Sequence, residues 1–191
     1  MTTLAPSLST RYFPRAAPWL RDLLLVLLGD LSVSIMAHIK VPLPFTPVPL
    51  TGQTFAVLLV GASLGARRGA AAMTLYTLMG ALGLPVFAGG ASGLAYLAGP
   101  TLGYLAGFIA AAYLIGRLAE HGLERSLRTS LLPFLLGTLV IYLFGAGWLA
   151  LSYGMEKALA LGVLPFLAGD ALKLLLAALA LPAAWMFVRQ Q

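Results

Sequence analysis

Hydrophobic positions in this chain gather into six long blocks: Leu20–Ile39, Phe55–Ala66, Ala70–Leu84, Thr101–Leu118, Leu131–Leu151 and Leu161–Val188. The intervals between them hold the polar and helix-breaking residues. These are a proline cluster at 42–49, Arg67-Arg68, the segment Pro85–Pro100, a charged run at 117–128 and Ser152–Lys157. A bilayer core is about 30 Å thick and takes about 20 helical residues to cross. The blocks therefore predict six membrane helices. Residues 1–19 carry Pro14, Pro18 and two arginines, with no small-residue cleavage site, and read as a cytosolic N-terminal arm rather than a signal peptide. Residues 20–191 read as a single six-helix membrane domain.

Composition agrees. The 191 residues are 60% hydrophobic and 9% charged, with a mean hydropathy of +0.94. A soluble domain carries roughly 25% charged residues and could not bury this much apolar surface. The 12 basic and 6 acidic residues are too few to clothe a separate soluble domain. Cysteine is absent, which excludes disulfides, thiolate metal sites and cysteine nucleophiles. The net charge of +6 bears on topology and gives no reason to expect nucleic acid as a partner.

With six helices both termini share a side. Arg11, Arg15, Arg21, Arg67, Arg68, Arg117, Arg125, Arg128 and Arg189 then fall on that side, against Lys40 and Lys157 on the other. The positive-inside rule makes the arginine side, with both termini, cytoplasmic in the cell membrane.

Phe55–Ala66 and Ala70–Leu84 are short for a crossing and meet at the Arg67-Arg68 turn, so their missing length lies on the outer side. The flanking segments there, Val41–Gly52 and Pro85–Pro100, are rich in Pro or Gly and nearly free of charge. Pro42, Pro44, Pro47 and Pro49 forbid a helix, because proline lacks an N–H and restrains the residue before it. Non-helical backbone at membrane depth persists only inside protein or along a cavity. Re-entrant outer loops roofing an outward-facing cavity are one reading; apolar loops lying on the surface are the other.

Asp170 and Lys173, three apart, share one face of the last helix within its outer half. Ionisable residues inside a membrane helix point to a functional site. The pair either neutralises itself or meets a polar ligand, Lys173 pairing with an anionic end and Asp170 accepting from N–H donors. Gln53 opens the second helix and serves either the same cavity or a loop carbonyl. Asp30 sits mid-helix and pairs with a neighbouring helix or another subunit. Gly99, Gly103 and Gly107, after Pro100 in the first turn, form a smooth ridge for helix packing, with ligand contact as the alternative. Tyr104 beside them can stack or donate. His38 and His121 have no ligand-spaced neighbour, so no metal is expected. Glu120 and Glu124 read as a solvated face. There is no G-x-x-x-x-G-K-[ST], so this chain cannot hydrolyse ATP by that route. G-x-S-x-G and H-E-x-x-H are absent too.

Four ordered motifs resemble those of one family. Pro42-Leu-Pro-Phe-Thr-Pro-Val-Pro-Leu-Thr-Gly-Gln-Thr54, Gly83-Leu-Pro-Val-Phe-Ala-Gly-Gly90, Ala98-Gly-Pro-Thr-Leu-Gly-Tyr104 and Gly169-Asp-Ala-Leu-Lys173 are similar to the hallmarks of the BioY biotin transporters. The likeness runs from about residue 20 to 188 with family spacing. It implies the all-α, six-helix membrane fold of an S component, the substrate-binding subunit of an energy-coupling factor transporter. Biotin is then the substrate and no cofactor is needed. A transmembrane T component and two cytosolic ATPases supply the energy. The resemblance places the biotin carboxylate at Lys173 and the ureido N–H groups at Asp170. Phe45 and Phe87 are implied beside the ring and chain, with Gln53, Gly89, Gly93 and Tyr104 lining the pocket. S components dock the T component through small residues four apart on helix one. Here that row is Gly29, Val33 and Ala37, with a bulky middle member.

Three functions remain open. One, which the resemblance implies, is a binding and transport subunit for biotin, a precursor or a related vitamin. The second is an intramembrane enzyme using Asp170 as base, against which stands the lack of any second acid, metal ligand or nucleophile. The third is an assembly subunit with an internal Asp170–Lys173 pair.

Overall fold

The structure, a computed structural model, describes residues 3–190, without the side chains of residues 189 and 190. The Arg189 charge counted above therefore lies outside the described side chains, as do residues 1, 2 and 191 of the two regions. Among the described residues nine α-helices succeed one another: α1 Leu4–Tyr12, α2 Pro18–His38, α3 Gln53–Leu64, α4 Ala66–Ala81, α5 Leu94–Leu97, α6 Leu102–Glu120, α7 Leu127–Tyr153, α8 Met155–Gly162 and α9 Leu167–Gln190. A two-residue hairpin, β1 Lys40–Val41 with β2 Leu50–Thr51, pairs Lys40 with Thr51 and Val41 with Leu50. The proline cluster forms its long loop.

All six apolar blocks are helical, with shifted ends. The reversal between α3 and α4 is made by Gly65, at φ +86°, and not by Arg67-Arg68, which lie in the first turn of α4. Only glycine takes that φ freely. Pro100 lies outside α6, since the helix starts at Leu102. The last block divides: residues 161–166 close α8 and make a 3-10 turn, and α9 begins at Leu167. By length and apolar composition, three runs among the described residues can cross a membrane: Leu102–Glu120, Leu127–Tyr153 and Met155–Val188. At 12 residues α3 is about 18 Å long.

α6 is the central helix, packed against α3, α4 and α7. Gly103 and Gly107 serve that packing. A methyl group on Gly103 would overlap the Phe144 carbonyl and the Trp148 β-carbon, and on Gly107 it would lie 3.1 Å from the Ile141 backbone. The ridge is a helix seam rather than a ligand floor. Leucines on the outer faces of α2, α7 and α9 are exposed, as expected where lipid is the solvent.

Two further readings need correction. Gly29, Val33 and Ala37 face inward and are buried, Gly29 against Leu64 and Ala72, so this row is not a surface on which a partner can dock. Glu124 is fully buried, not solvated: its Oε1 accepts from Trp185 Nε1 at 3.1 Å, and the Arg125 guanidinium lies 4.5 Å over the same indole. Burial holds its carboxyl above the usual carboxylate range, opposed by Arg125 and the Trp185 donor. Glu120 accepts the Ala66 N–H at 2.9 Å and so caps α4. Asp30 is buried with its Oδ1 unpaired among the described residues.

Candidate functional site

The hairpin loop, the segment 83–101 and the start of α9 converge at one end of the bundle. Thr46 Oγ1 donates to the Leu161 carbonyl at 2.6 Å, tying the proline loop to the end of α8. Gly93 N–H donates to the Gly80 carbonyl at 2.7 Å, and Gly89 N–H to the Ala37 carbonyl at 3.0 Å, folding the second segment back onto α2 and α4. Gly89, Gly90 and Gly93 have φ between +70° and +87°. Under this roof lies a narrow cavity of about 50 Å³, lined among others by Gln53, Tyr96, Tyr104, Phe108, Asp170 and Lys173. The roofed-cavity reading is the one the fold adopts.

The charged pair forms its polar centre. α9 starts at Leu167, so Asp170 is in its first turn, where a carboxylate also meets the positive end of the helix dipole. Lys173 Nζ donates to Asp170 Oδ1 at 2.8 Å, one turn along. Thr54 Oγ1 donates to the same oxygen at 3.0 Å and accepts from Lys173 Nζ at 2.9 Å. Tyr142 on α7 donates to Asp170 Oδ2 at 2.6 Å. Asp170 is 5% exposed and has both oxygens engaged. Sequence reasoning missed Thr54 and Tyr142. Thr54 sits beside Gln53 in a motif already singled out, whereas nothing near Tyr142 in sequence points to α9.

Four of the eight expected residues meet at the cavity: Asp170, Lys173, Gln53 and Tyr104. Gln53 is held, its Nε2 donating to Tyr76 at 2.6 Å and its Oε1 accepting from Thr51 at 2.9 Å. Tyr104 offers its ring only, since its hydroxyl donates to the Gly162 carbonyl at 2.6 Å. The other four stand away from the cavity wall. Phe45 is 60% exposed at the tip of the proline loop, where the hairpin carries it outward. Phe87 is buried behind Tyr96, stacked on it at 4.9 Å and edge-on to Tyr76 at 5.5 Å. Gly89 lies under the Lys40 side chain, and among the described residues none beyond its two chain neighbours comes within 4 Å of the place where a Gly93 β-carbon would stand. These glycines shape the roof rather than the wall. Among the described residues no group of three His, Cys, Asp or Glu is placed to hold a metal ion.

A family model described as the BioY family matches residues 5–190. The chain belongs to the BioY family. A biotin transporter BioY of Rhizobium etli is 40% identical over 138 residues, 68% of this chain and 74% of its own. A probable biotin transporter BioY of Pyrococcus horikoshii is 42% identical over 130 residues, 68% of this chain and 75% of its own. The crystal structure of the S component for biotin from an ECF-type ABC transporter superposes with a TM-score of 0.78 at 26% identity, covering 90% of this chain and 92% of that one. The helical membrane architecture is thus that of an S component. BioY relatives are named for transport, not for catalysis, which removes the intramembrane enzyme from the open readings.

Proposed function

We propose that the chain is a high-affinity biotin-binding membrane subunit that mediates biotin uptake. The observation that carries this is the buried Asp170–Lys173 pair at the cavity. It offers an anion partner and a hydrogen-bond acceptor in one place, which a ligand with a carboxylate at one end and ureido N–H groups at the other requires. The two ends of biotin are separated by a bicyclic ring and an alkyl chain. Both contacts together therefore need Lys173 to swing its ammonium off Asp170, and its flexible stem permits this. Thr54 and Tyr142 keep Asp170 hydrogen-bonded while it does so. Tyr96, Tyr104 and Phe108 then wall the apolar body of the ligand. A cavity of about 50 Å³ holds one or two waters, so binding also widens it.

In this reading residues 20–191 are one domain crossing the cell membrane six times, with the arginine-rich end and both termini in the cytoplasm. Energy comes from a separate T component and two ATPases. A second reading has its own support: the pair as it stands, closed on itself with Thr54 and Tyr142, also suits an assembly subunit that binds nothing. Calorimetry on the purified protein in detergent separates them. Tight binding of biotin is expected. Desthiobiotin, which keeps the ureido group and carboxylate, is expected to bind as well. A carboxylate analogue without the ureido group should bind at least 10²-fold more weakly, because nothing on the ligand then replaces the Lys173 donor drawn off buried Asp170. No binding by folded protein overturns the proposal, and equal binding of the analogue overturns the role of Asp170.

A further inference from the structure

The inner cavity has a neighbour at the same end of the bundle. Tyr96 stands on its wall and also lines a second crevice of about 280 Å³. Pro49, Tyr96 and Thr101 line both spaces. The outer crevice is rimmed by Pro47 and Pro100, and its charged residue is Lys40. Phe87 backs Tyr96 with its ring nearly parallel, at 18°. Tyr96, braced from behind by Phe87, thus stands where the two spaces meet.

Lys40 is exposed at the start of the hairpin, and its stem lies across Gly89, within 2.8 Å of where a β-carbon would stand. Any other residue at 89 would push the lysine away. Lys40 has no ion pair or hydrogen bond to another side chain among the described residues. Apart from Lys157, it is the basic residue that the charge distribution leaves at this end of the bundle. A cation in an otherwise uncharged crevice, beside a cavity that holds a second cation, fits a ligand that carries one negative charge on a flexible arm.

We propose that this crevice is an outer anion-binding subsite, in which Lys40 captures the carboxylate of the ligand before the ligand passes Tyr96 into the inner cavity. The proposal rests on the reading of the inner site as a biotin site and adds the route to it. Capture at Lys40 raises the encounter rate. It leaves the bound state untouched, because the carboxylate has by then moved to Lys173.

The test is the kinetics of biotin association with the purified protein, followed by stopped flow at low and high salt, for the parent, Lys40→Gln and Lys157→Gln. Lys40→Gln should lower kon about two- to fivefold at low salt, the factor a single close charge pair gives in water. It should lower koff by the same factor, since a residue that does not touch the bound ligand leaves Kd unchanged, and both differences should vanish near 1 M salt, where the Debye length is about 3 Å. Lys157→Gln should leave kon unchanged. Biotin amide, which has no charge, should associate equally fast with the parent and Lys40→Gln. An unchanged kon in Lys40→Gln overturns the subsite, and so does an equal fall in Lys157→Gln, which would mean a diffuse field. A change confined to koff overturns it too. Absence of equilibrium biotin binding in the parent is a different result and removes the inner site itself. Tyr96→Ala provides a second reading of the route: with the ring gone, koff should rise at least tenfold while kon keeps its dependence on Lys40. An unchanged koff means that Tyr96 does not divide the two spaces.

Discussion

Replacing Lys173 by methionine, alone and together with Asp170→Asn, separates what the charged pair does for the fold from what it does for a ligand. Asp170 is 5% exposed and accepts from three donors, Lys173 at 2.8 Å, Thr54 at 3.0 Å and Tyr142 at 2.6 Å. Lys173→Met removes the one cation and leaves a buried carboxylate with two neutral donors. An uncompensated buried charge of this kind destabilises by about 3–5 kcal/mol. Adding Asp170→Asn removes the charge and keeps an acceptor for Tyr142 and Thr54. The double variant should therefore recover about 2–3 kcal/mol of that loss, a coupling within the range of contacting residues. Binding should behave differently. Loss of the cation weakens the hold on the ligand carboxylate by about 2–5 kcal/mol, or roughly 30-fold to several thousand-fold in affinity, and Asp170→Asn gives none of this back. With no cysteine in the chain, unfolding is followed by the fluorescence of Trp148 and Trp185 in detergent, and affinity by calorimetry with biotin. A double variant that binds biotin like the parent refutes Lys173 as the anchor. A single Lys173→Met variant that loses less than about 1 kcal/mol refutes the buried-charge reasoning.

Tyr142→Phe removes a hydroxyl donor from Asp170 and should lower stability by about 1.5–3 kcal/mol, the range for a hydrogen bond to a charged group, measured by the same unfolding assay. Gly103→Ala should destabilise by about 1–3 kcal/mol, because the new methyl group overlaps the α7 backbone at Phe144 and the Trp148 β-carbon; unchanged stability would show that α6 and α7 separate easily. Glu124 binds its proton more tightly folded than unfolded, since burial raises its pKa above 4.5. Its contribution is therefore fully present below pH 4.5 and is lost as pH rises through the raised value. The parent should lose stability across that window, and Glu124→Gln should flatten the profile when melting is followed from pH 4 to pH 8.

Much of this was legible in the chain itself. The six apolar blocks became helices because backbone groups in lipid must be satisfied within the segment, and only helix does that for an isolated apolar run. Asp170 and Lys173 could be paired in advance, since three residues along a helix is less than one turn from the same face. The prolines at 42–49 announced a non-helical roof by their missing N–H groups. Gln53 and Tyr104 were found through the motifs around them.

Only the tertiary structure decided the rest, and the reason is common to each case: a contact between distant segments has no periodicity in the sequence. Tyr142 reaches Asp170 because α7 packs on α9. Glu124 looked solvated among charged neighbours until Trp185, 61 residues on, covered it. Phe45 and Phe87 looked equivalent as apolar motif residues, yet the hairpin carries one outward while the folded-back segment sets the other behind Tyr96. The row Gly29, Val33 and Ala37 shows the same limit from the other side. Its spacing says that small and apolar groups line one face of α2, and only the packing of α3 and α4 says that this face looks inward.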